Sequence, residues 1–161
     1  MRMLGGLLTL IAMVHAPAEA QRTALTVSGF PVAFTTPTAA ELTAGSVTSS
    51  TATMFVVDAT TGTIGNRTTT VWIRCQTPCP ASGTKPASTL RWRRADLATW
   101  NPITTTDVMV ESRVVVYNIL IGGSNDPWSN SIYWQFLVDW TNDSPGSNTF
   151  NIIMTLTVTY P

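Results

Sequence analysis

From Phe150 to Tyr160 the chain alternates between apolar and polar side chains with a period of two. Every second residue is apolar, in the order Phe150, Ile152, Met154, Leu156, Val158 and Tyr160. The residues between them are Thr or Asn, except for Ile153. Successive side chains of a β-strand point to opposite faces of a sheet. The pattern therefore predicts a strand with one face in a core and the other in solvent.

The same alternation runs through the preceding segment. Its large apolar residues are Ile132, Trp134, Phe136, Val138 and Trp140. Turn-forming residues at 142–148 separate the two segments. We therefore expect residues 131–160 to form a β-hairpin, and we expect the two apolar faces to be buried against each other.

Weaker strand patterns occur earlier, at residues 23–34, 52–58, 67–74, 89–94, 106–110 and 113–121. Gly, Pro, Asn and Ser cluster between them, as is typical of turns. After the first segment of the chain, no window of ten or more residues keeps a helical period. The sequence predicts an all-β fold: a single antiparallel β-sandwich, an Ig-like or pilin-like Greek key of about seven or eight strands.

The N-terminus has the three parts of a secretory signal. A basic residue at Arg2 is followed by an apolar run from Leu4 to Val14, and small residues surround a cleavage site at Ala20. The apolar run is shorter than the roughly 20 residues that a membrane-spanning helix needs. We expect residues 1–20 to be a signal peptide and residues 21–161 to be the β-sandwich domain. The mature chain is then secreted, either extracellular or at the cell surface, with no transmembrane segment.

The charge of the chain argues against nucleic acid as a partner. Charged residues make up 11% of the sequence, and nine Lys and Arg balance nine Asp and Glu. The basic cluster formed by Arg91, Arg93 and Arg94 is too small to bind a phosphate backbone by itself.

The sequence contains no recognisable catalytic group. His15 is the only histidine and lies in the predicted signal peptide, and Lys85 is the only lysine. Histidine is the most frequent general base near neutral pH, and no nucleophile motif surrounds Lys85. The carboxylates show neither a recognisable glycosidase pair nor the spacing of an EF-hand. We predict no enzymatic activity, no cofactor and no metal site.

Cys75 and Cys79 are the only cysteines. Export places them in an oxidising compartment, so we expect a disulfide between them. Zinc would need four ligands, and a redox pair prefers two residues between its cysteines. A disulfide that closes so short a loop contributes roughly 2 kcal/mol at most, so we expect it to shape a turn.

Six tryptophans are present, which is many for a chain of this length. Trp92, Trp134 and Trp140 share a strand face with aliphatic or aromatic residues, and we expect them in the core. Trp100 and Trp128 lie near prolines in segments that resemble loops. Exposed aromatic rings of β-sandwiches often bind sugar faces, so these two are candidate glycan-binding residues. The alternative is that they plug the ends of the sandwich.

The last strand carries no charge, because no charged residue occurs between Phe150 and Pro161. An exposed strand of this kind is a template for pairing with another chain. We therefore expect it to be covered. The cover is either strands on both sides in its own sheet or a strand of another subunit.

Together these features resemble secreted bacterial β-sandwich subunits of the pilin and spore-coat-U kind. The resemblance is carried by the signal peptide, the Thr-rich strands, the alternating segment with Leu25 and Val27, and the penultimate aromatic Tyr160. It implies assembly by exchange of a β-strand, with Leu25, Val27 and Tyr160 in the subunit pairing. Pilins usually join distant strands with their disulfide, whereas Cys75 and Cys79 are close in sequence.

We expect a non-enzymatic structural or adhesin-like surface subunit that assembles with further copies of itself. The alternative is a carbohydrate-binding β-sandwich module whose partner is a surface glycan. Asn66 and Asn142 stand in triplets that match the N-glycosylation acceptor pattern.

Overall fold

The computed structural model describes residues 23–32, 34, 37–59, 65–83, 85–118, 122–124, 126–139, 141 and 148–161. The predicted signal peptide, Trp140 and Asn142 lie outside the described residues. Among the described residues, no helix combines the length and the apolar character needed to cross a bilayer.

The described part of the chain is almost entirely β-strand. In chain order the strands are β1 (Thr23–Ser28), β2 (Ser46–Thr48), β3 (Thr53–Ala59), β4 (Arg67–Cys75), β5 (Leu90–Arg94), β6 (Asn101–Pro102), β7 (Val108–Asn118), β8 (Gly122–Ser124), β9 (Trp128–Leu137) and β10 (Ile152–Thr159). Helix α1 (Ala39–Ala44) precedes β2, and a single 3-10 turn (Ala87–Thr89) precedes β5.

The strands form two antiparallel sheets that pack face to face, so the predicted all-β sandwich is confirmed. The first sheet has the order β1-β3-β9-β5-β6, and β2 also pairs with β9. The second sheet has the order β10-β4-β7-β8. The hairpins β5–β6 and β7–β8 join strands that follow each other in the sequence, whereas the other pairings skip at least one strand.

Alternating side chains of both sheets supply the core. Strand β4 shows this most regularly, because its residues from Arg67 to Cys75 are alternately buried and half-buried. The fully buried side chains of the facing strands include Phe55 and Val57 on β3 and Ile132 and Trp134 on β9. The core is therefore the space between the two sheets, as the period-two pattern requires.

The predicted hairpin over residues 131–160 is wrong, because β9 and β10 belong to different sheets. Their apolar faces nevertheless meet across the sandwich, as expected. The rings of Phe136 and Phe150 lie 6.0 Å apart, and Ile152, Met154 and Leu156 pack on the cluster that contains Trp134. The alternation had identified the core face of each strand correctly and its hydrogen-bonding neighbour incorrectly.

Strand β1 ends at Ser28, before the predicted limit at residue 34. Gly29 follows it with φ +88°, and a Cβ at this position would lie 2.6 Å from the carbonyl oxygen of Ala52. Only glycine fits this close crossing of two backbone segments. The chain therefore turns away from the sheet at this residue.

Helix α1 was not predicted, because its six residues are shorter than the window in which a helical period can be detected. Its start nevertheless has a capping box. The Thr38 hydroxyl accepts from the amide of Glu41, and the Glu41 carboxylate accepts from the amide of Thr38. Gly45 ends the helix in the left-handed conformation.

Candidate binding surfaces

Cys75 and Cys79 form the predicted disulfide. Cys75 is the last residue of β4 and is fully buried, and its amide donates to the carbonyl oxygen of Thr104 at 2.8 Å. The next amide, of Gln76, donates to Asn151 at 2.8 Å. The bond thus fixes the loop after β4 where that loop leaves the core.

Trp128 is not available as a sugar platform, because its side chain is 4% exposed. It begins β9 instead of lying in a loop. Its Nε1 donates to the Thr69 hydroxyl at 3.0 Å, and its ring meets that of Phe55 edge to face at 5.7 Å. The two contacts join residues of both sheets, so Trp128 belongs to the core between the sheets.

Trp100 lies at the surface, on the outer side of the first sheet, and is partly exposed. The guanidinium carbon of Arg93 lies 5.0 Å from the centre of its ring and 5.1 Å from the centre of the Tyr133 ring. Arg93 and Tyr133 are cross-strand partners on β5 and β9. Both rings are within the distance at which a cation is attracted to the π-electrons of an aromatic ring.

Arg91 and Gln135 extend this group along the same face. They are cross-strand partners, two residues from Arg93 and Tyr133 on their strands. Gln135 Nε2 donates to the Ser46 hydroxyl of β2 at 3.1 Å. We call the surface formed by Arg91, Arg93, Trp100, Tyr133 and Gln135 the arginine–aromatic face.

Arg94, the third member of the basic cluster, does not belong to this face. It is hydrogen-bonded and ion-paired to Asp96, and its Nη1 lies 3.7 Å from Glu111 Oε2. The hydrogen bond from Arg94 holds the pKa of Asp96 well below its usual range. Glu111 also accepts from Arg113 Nε at 2.6 Å, so the charge of Arg94 is part of an ion-pair network between the sheets.

The ion pairs separate the described arginines into two groups. Arg67, Arg74, Arg94 and Arg113 each have a carboxylate within 4.0 Å, and Arg67 is buried against Asp126 at 2.5 Å. Within the described part of the chain, neither Arg91 nor Arg93 forms an ion pair. The arginine–aromatic face therefore carries two guanidinium groups whose charge no carboxylate of the described residues balances.

Trp72 is a partly exposed aromatic residue for which the sequence analysis predicted no role. It lies on the outer side of the second sheet, and its Nε1 donates to the Thr157 hydroxyl of β10 at 2.9 Å. Its cross-strand partner on β7 is Met109, which is 54% exposed. The period of two could have placed Trp72 outside, since it stands between the buried residues Val71 and Ile73.

Among the described residues, strand β10 lies at an edge of the second sheet, so the alternative in which strands of its own sheet cover both sides is not the one observed. It pairs with β4 over its full length, from Ile152 to Thr159. Among the described residues it has no strand on its other side. Strand β1 approaches it across the sandwich but pairs with β3 in the first sheet.

The residues predicted to pair with another subunit have different environments. Leu25 and Val27 lie on β1 and pack against the core of their own chain. Tyr160 is partly buried just after β10, where Tyr160, Thr159 and Arg67 line a shallow groove of about 290 Å³. The side chains of Leu25 and Val27 are therefore available to another subunit only if β1 leaves its own sheet.

Nothing in the described ranges brings together three or more His, Cys, Asp or Glu side chains in a group that could hold a metal ion. Comparison of the chain with protein-family models, with curated proteins and with solved structures finds no match. The functional argument therefore depends on the two surfaces described above, the arginine–aromatic face and the edge at β10.

Proposed function

We propose that the chain is an exported, non-enzymatic structural or adhesin-like subunit that assembles with further copies of itself along the edge of β10. The observation that carries the proposal is that this long edge strand contains no charged residue. Natural proteins usually protect such edges with charges, prolines or very short strands.

The other ends of the two sheets have that protection. Strand β6 at the far edge of the first sheet has two residues. At the far edge of the second sheet, β8 covers β7 only over Val116–Asn118, and the rest of β7 carries the charged residues Glu111 and Arg113. Strand β10 has eight residues, and its solvent side is largely threonine. Its backbone can extend the sheet into a second molecule, because the amide and carbonyl groups on its free side point along the sheet.

Strand β1 supplies a second route to assembly. It is also an edge strand without charge, and it lies beside β10 on the same side of the sandwich. A neighbouring copy can add its own strand to β10, or the copies can exchange β1. Exchange keeps Leu25 and Val27 buried, but in the core of the partner.

The test is a charge placed on the edge strand. Thr155 of β10 and Thr70 of β4 both lie on the outer side of the second sheet, but Thr70 has a paired strand on each side. We expect Thr155→Lys to abolish concentration-dependent multimers and Thr70→Lys to leave them unchanged, as measured by sedimentation velocity. The assembly proposal fails if the parent protein stays monomeric at millimolar concentration, or if the two variants weaken association equally.

A second candidate function is glycan binding. It is favoured by the position of Trp100, whose partly exposed ring is held at the surface beside Tyr133 by the guanidinium of Arg93. Aromatic rings with a fixed orientation supply contact area at low conformational-entropy cost. Retention of the protein on a polysaccharide column, and its loss in Trp100→Ala, would support this function.

A further inference from the structure

We infer that the arginine–aromatic face recognises a glycan that carries carboxylate or sulfate groups. The inference rests on the second candidate function, glycan binding, and specifies its ligand class. It does not depend on assembly through β10, which involves the other sheet.

The first argument is the charge on this face. Arg91 and Arg93 occupy alternate positions of one strand, so their side chains leave the same face of the sheet about 7 Å apart. Within the described residues neither forms an ion pair, whereas the four other described arginines do. Two unpaired cations at this spacing form a local positive surface on a chain whose net charge is zero.

The second argument is the orientation of Arg93. Its guanidinium lies near the Trp100 and Tyr133 rings, and its Nη1 donates to the Leu97 carbonyl oxygen at 2.8 Å. Within the described residues, Nε and Nη2 have no hydrogen-bond acceptor. These two donors form the fork that matches the two oxygens of a carboxylate or sulfate. The group is thus held in position before a ligand arrives.

The third argument is the set of neutral polar and aromatic side chains that surround Arg91 and Arg93. Gln135 and Thr48 are cross-strand partners on β9 and β2, beside Arg91. Amide and hydroxyl groups both donate and accept, as recognition of sugar hydroxyls requires. With the partly exposed Trp100 ring on the other side, the face combines an aromatic surface, two cations and neutral polar groups. An acidic peptide would use the cations but not this combination.

A neutral glycan fits the face less well. Covering Arg91 and Arg93 with a neutral ligand would remove their hydration without supplying an opposite charge, which costs free energy. A nucleic acid fits poorly too, because binding of phosphate backbones relies on many more cationic contacts. The acidic glycan is the class whose charge and shape both match.

The experiment measures binding of the purified protein by biolayer interferometry at fixed salt. The probes are polygalacturonate, dextran sulfate, neutral dextran and a single-stranded oligothymidylate. We expect Arg91→Gln and Arg93→Gln each to raise the Kd for at least one acidic polysaccharide about tenfold. The matched control is Arg74→Gln, which removes the same charge from the opposite face, where Arg74 is paired with Asp107 at 3.4 Å. We expect it to change the Kd by less than about twofold.

Each of four other binding results would contradict a specific part of the inference. Equal losses in Arg74→Gln and Arg91→Gln would mean non-specific attraction and would overturn the inference. Tighter binding of oligothymidylate than of both acidic polysaccharides would replace the glycan with nucleic acid. Dextran binding that needs Trp100 but neither Arg91 nor Arg93 would keep the glycan-binding function and refute the acidic ligand. If none of the polysaccharide probes binds, both the glycan-binding function and the acidic ligand class are refuted. The assembly proposal would be unaffected.

Discussion

Among the described residues, Trp134 is the largest side chain that is fully buried. It is 1% exposed, lies on an interior strand of the first sheet, and faces the apolar side of β10 across the core. Its Nε1 donates to the buried hydroxyl of Thr53 at 2.9 Å. Trp134→Ala therefore leaves a large cavity and a hydroxyl without its donor.

We expect Trp134→Ala to lower the free energy of unfolding by about 3–5 kcal/mol, the range for such core truncations. At about 3 °C per kcal/mol for a domain of this size, the Tm should fall by about 9–15 °C. Differential scanning calorimetry and urea denaturation measure the two quantities.

The matched control is Trp72→Ala, the same truncation on the outer side of the second sheet. Trp72 is partly exposed and its main polar contact is the Thr157 hydroxyl. We expect it to cost no more than about 2 kcal/mol. A Trp134→Ala variant that melts like the parent, or no earlier than Trp72→Ala, would refute the assignment of this face of β9 to the core.

Two further predictions concern the covalent link and the charge network. Replacing Cys75 and Cys79 together with Ala should lower the free energy of unfolding by about 2 kcal/mol, because the closed loop is short; loss of the cooperative guanidinium transition would contradict this. The lowered pKa of Asp96 stabilises the fold above the pKa of an unfolded Asp, about 3.9, and this contribution is lost as the pH falls through the lower folded-state pKa. Asp96→Asn should therefore flatten the dependence of urea stability on pH between about 5 and 2, and an unchanged profile would mean that the Arg94 contact does not persist in solution.

The sequence alone was sufficient to predict the fold class and the positions of several strands, although β2, β6 and β8 were missed and β7 was predicted as two strands. Strands β3, β4, β5 and β10 lie within one or two residues of their predicted limits. The reason is that the alternation of side chains is a local property of an extended chain with one buried face. The same property placed Trp92 and Trp134 correctly in the core.

Strand pairing was not predictable, because a period of two identifies the buried face of a strand but not its neighbour. Residues 138–151 connect β9 to β10 whether the two strands pair in one sheet or face each other across a sandwich. Strand β9 pairs with β3 and β2 on one side and with β5 on the other, so both of its hydrogen-bonding edges are occupied. Strand β10 therefore joins the other sheet and becomes its edge.

The sequence identifies the basic and aromatic residues of the candidate site. Only tertiary contacts determine which of them lie together at the surface. The triplet of Arg91, Arg93 and Arg94 was recognised as basic, yet only the fold pairs Arg94 with Glu111 of the opposite sheet and leaves the other two arginines beside Trp100. Trp128 was misjudged because Pro127 suggested a loop, whereas β9 begins directly after it. Local periodicity thus determined which residues could be exposed, and contacts between residues distant in sequence determined which charges and aromatic rings share a surface.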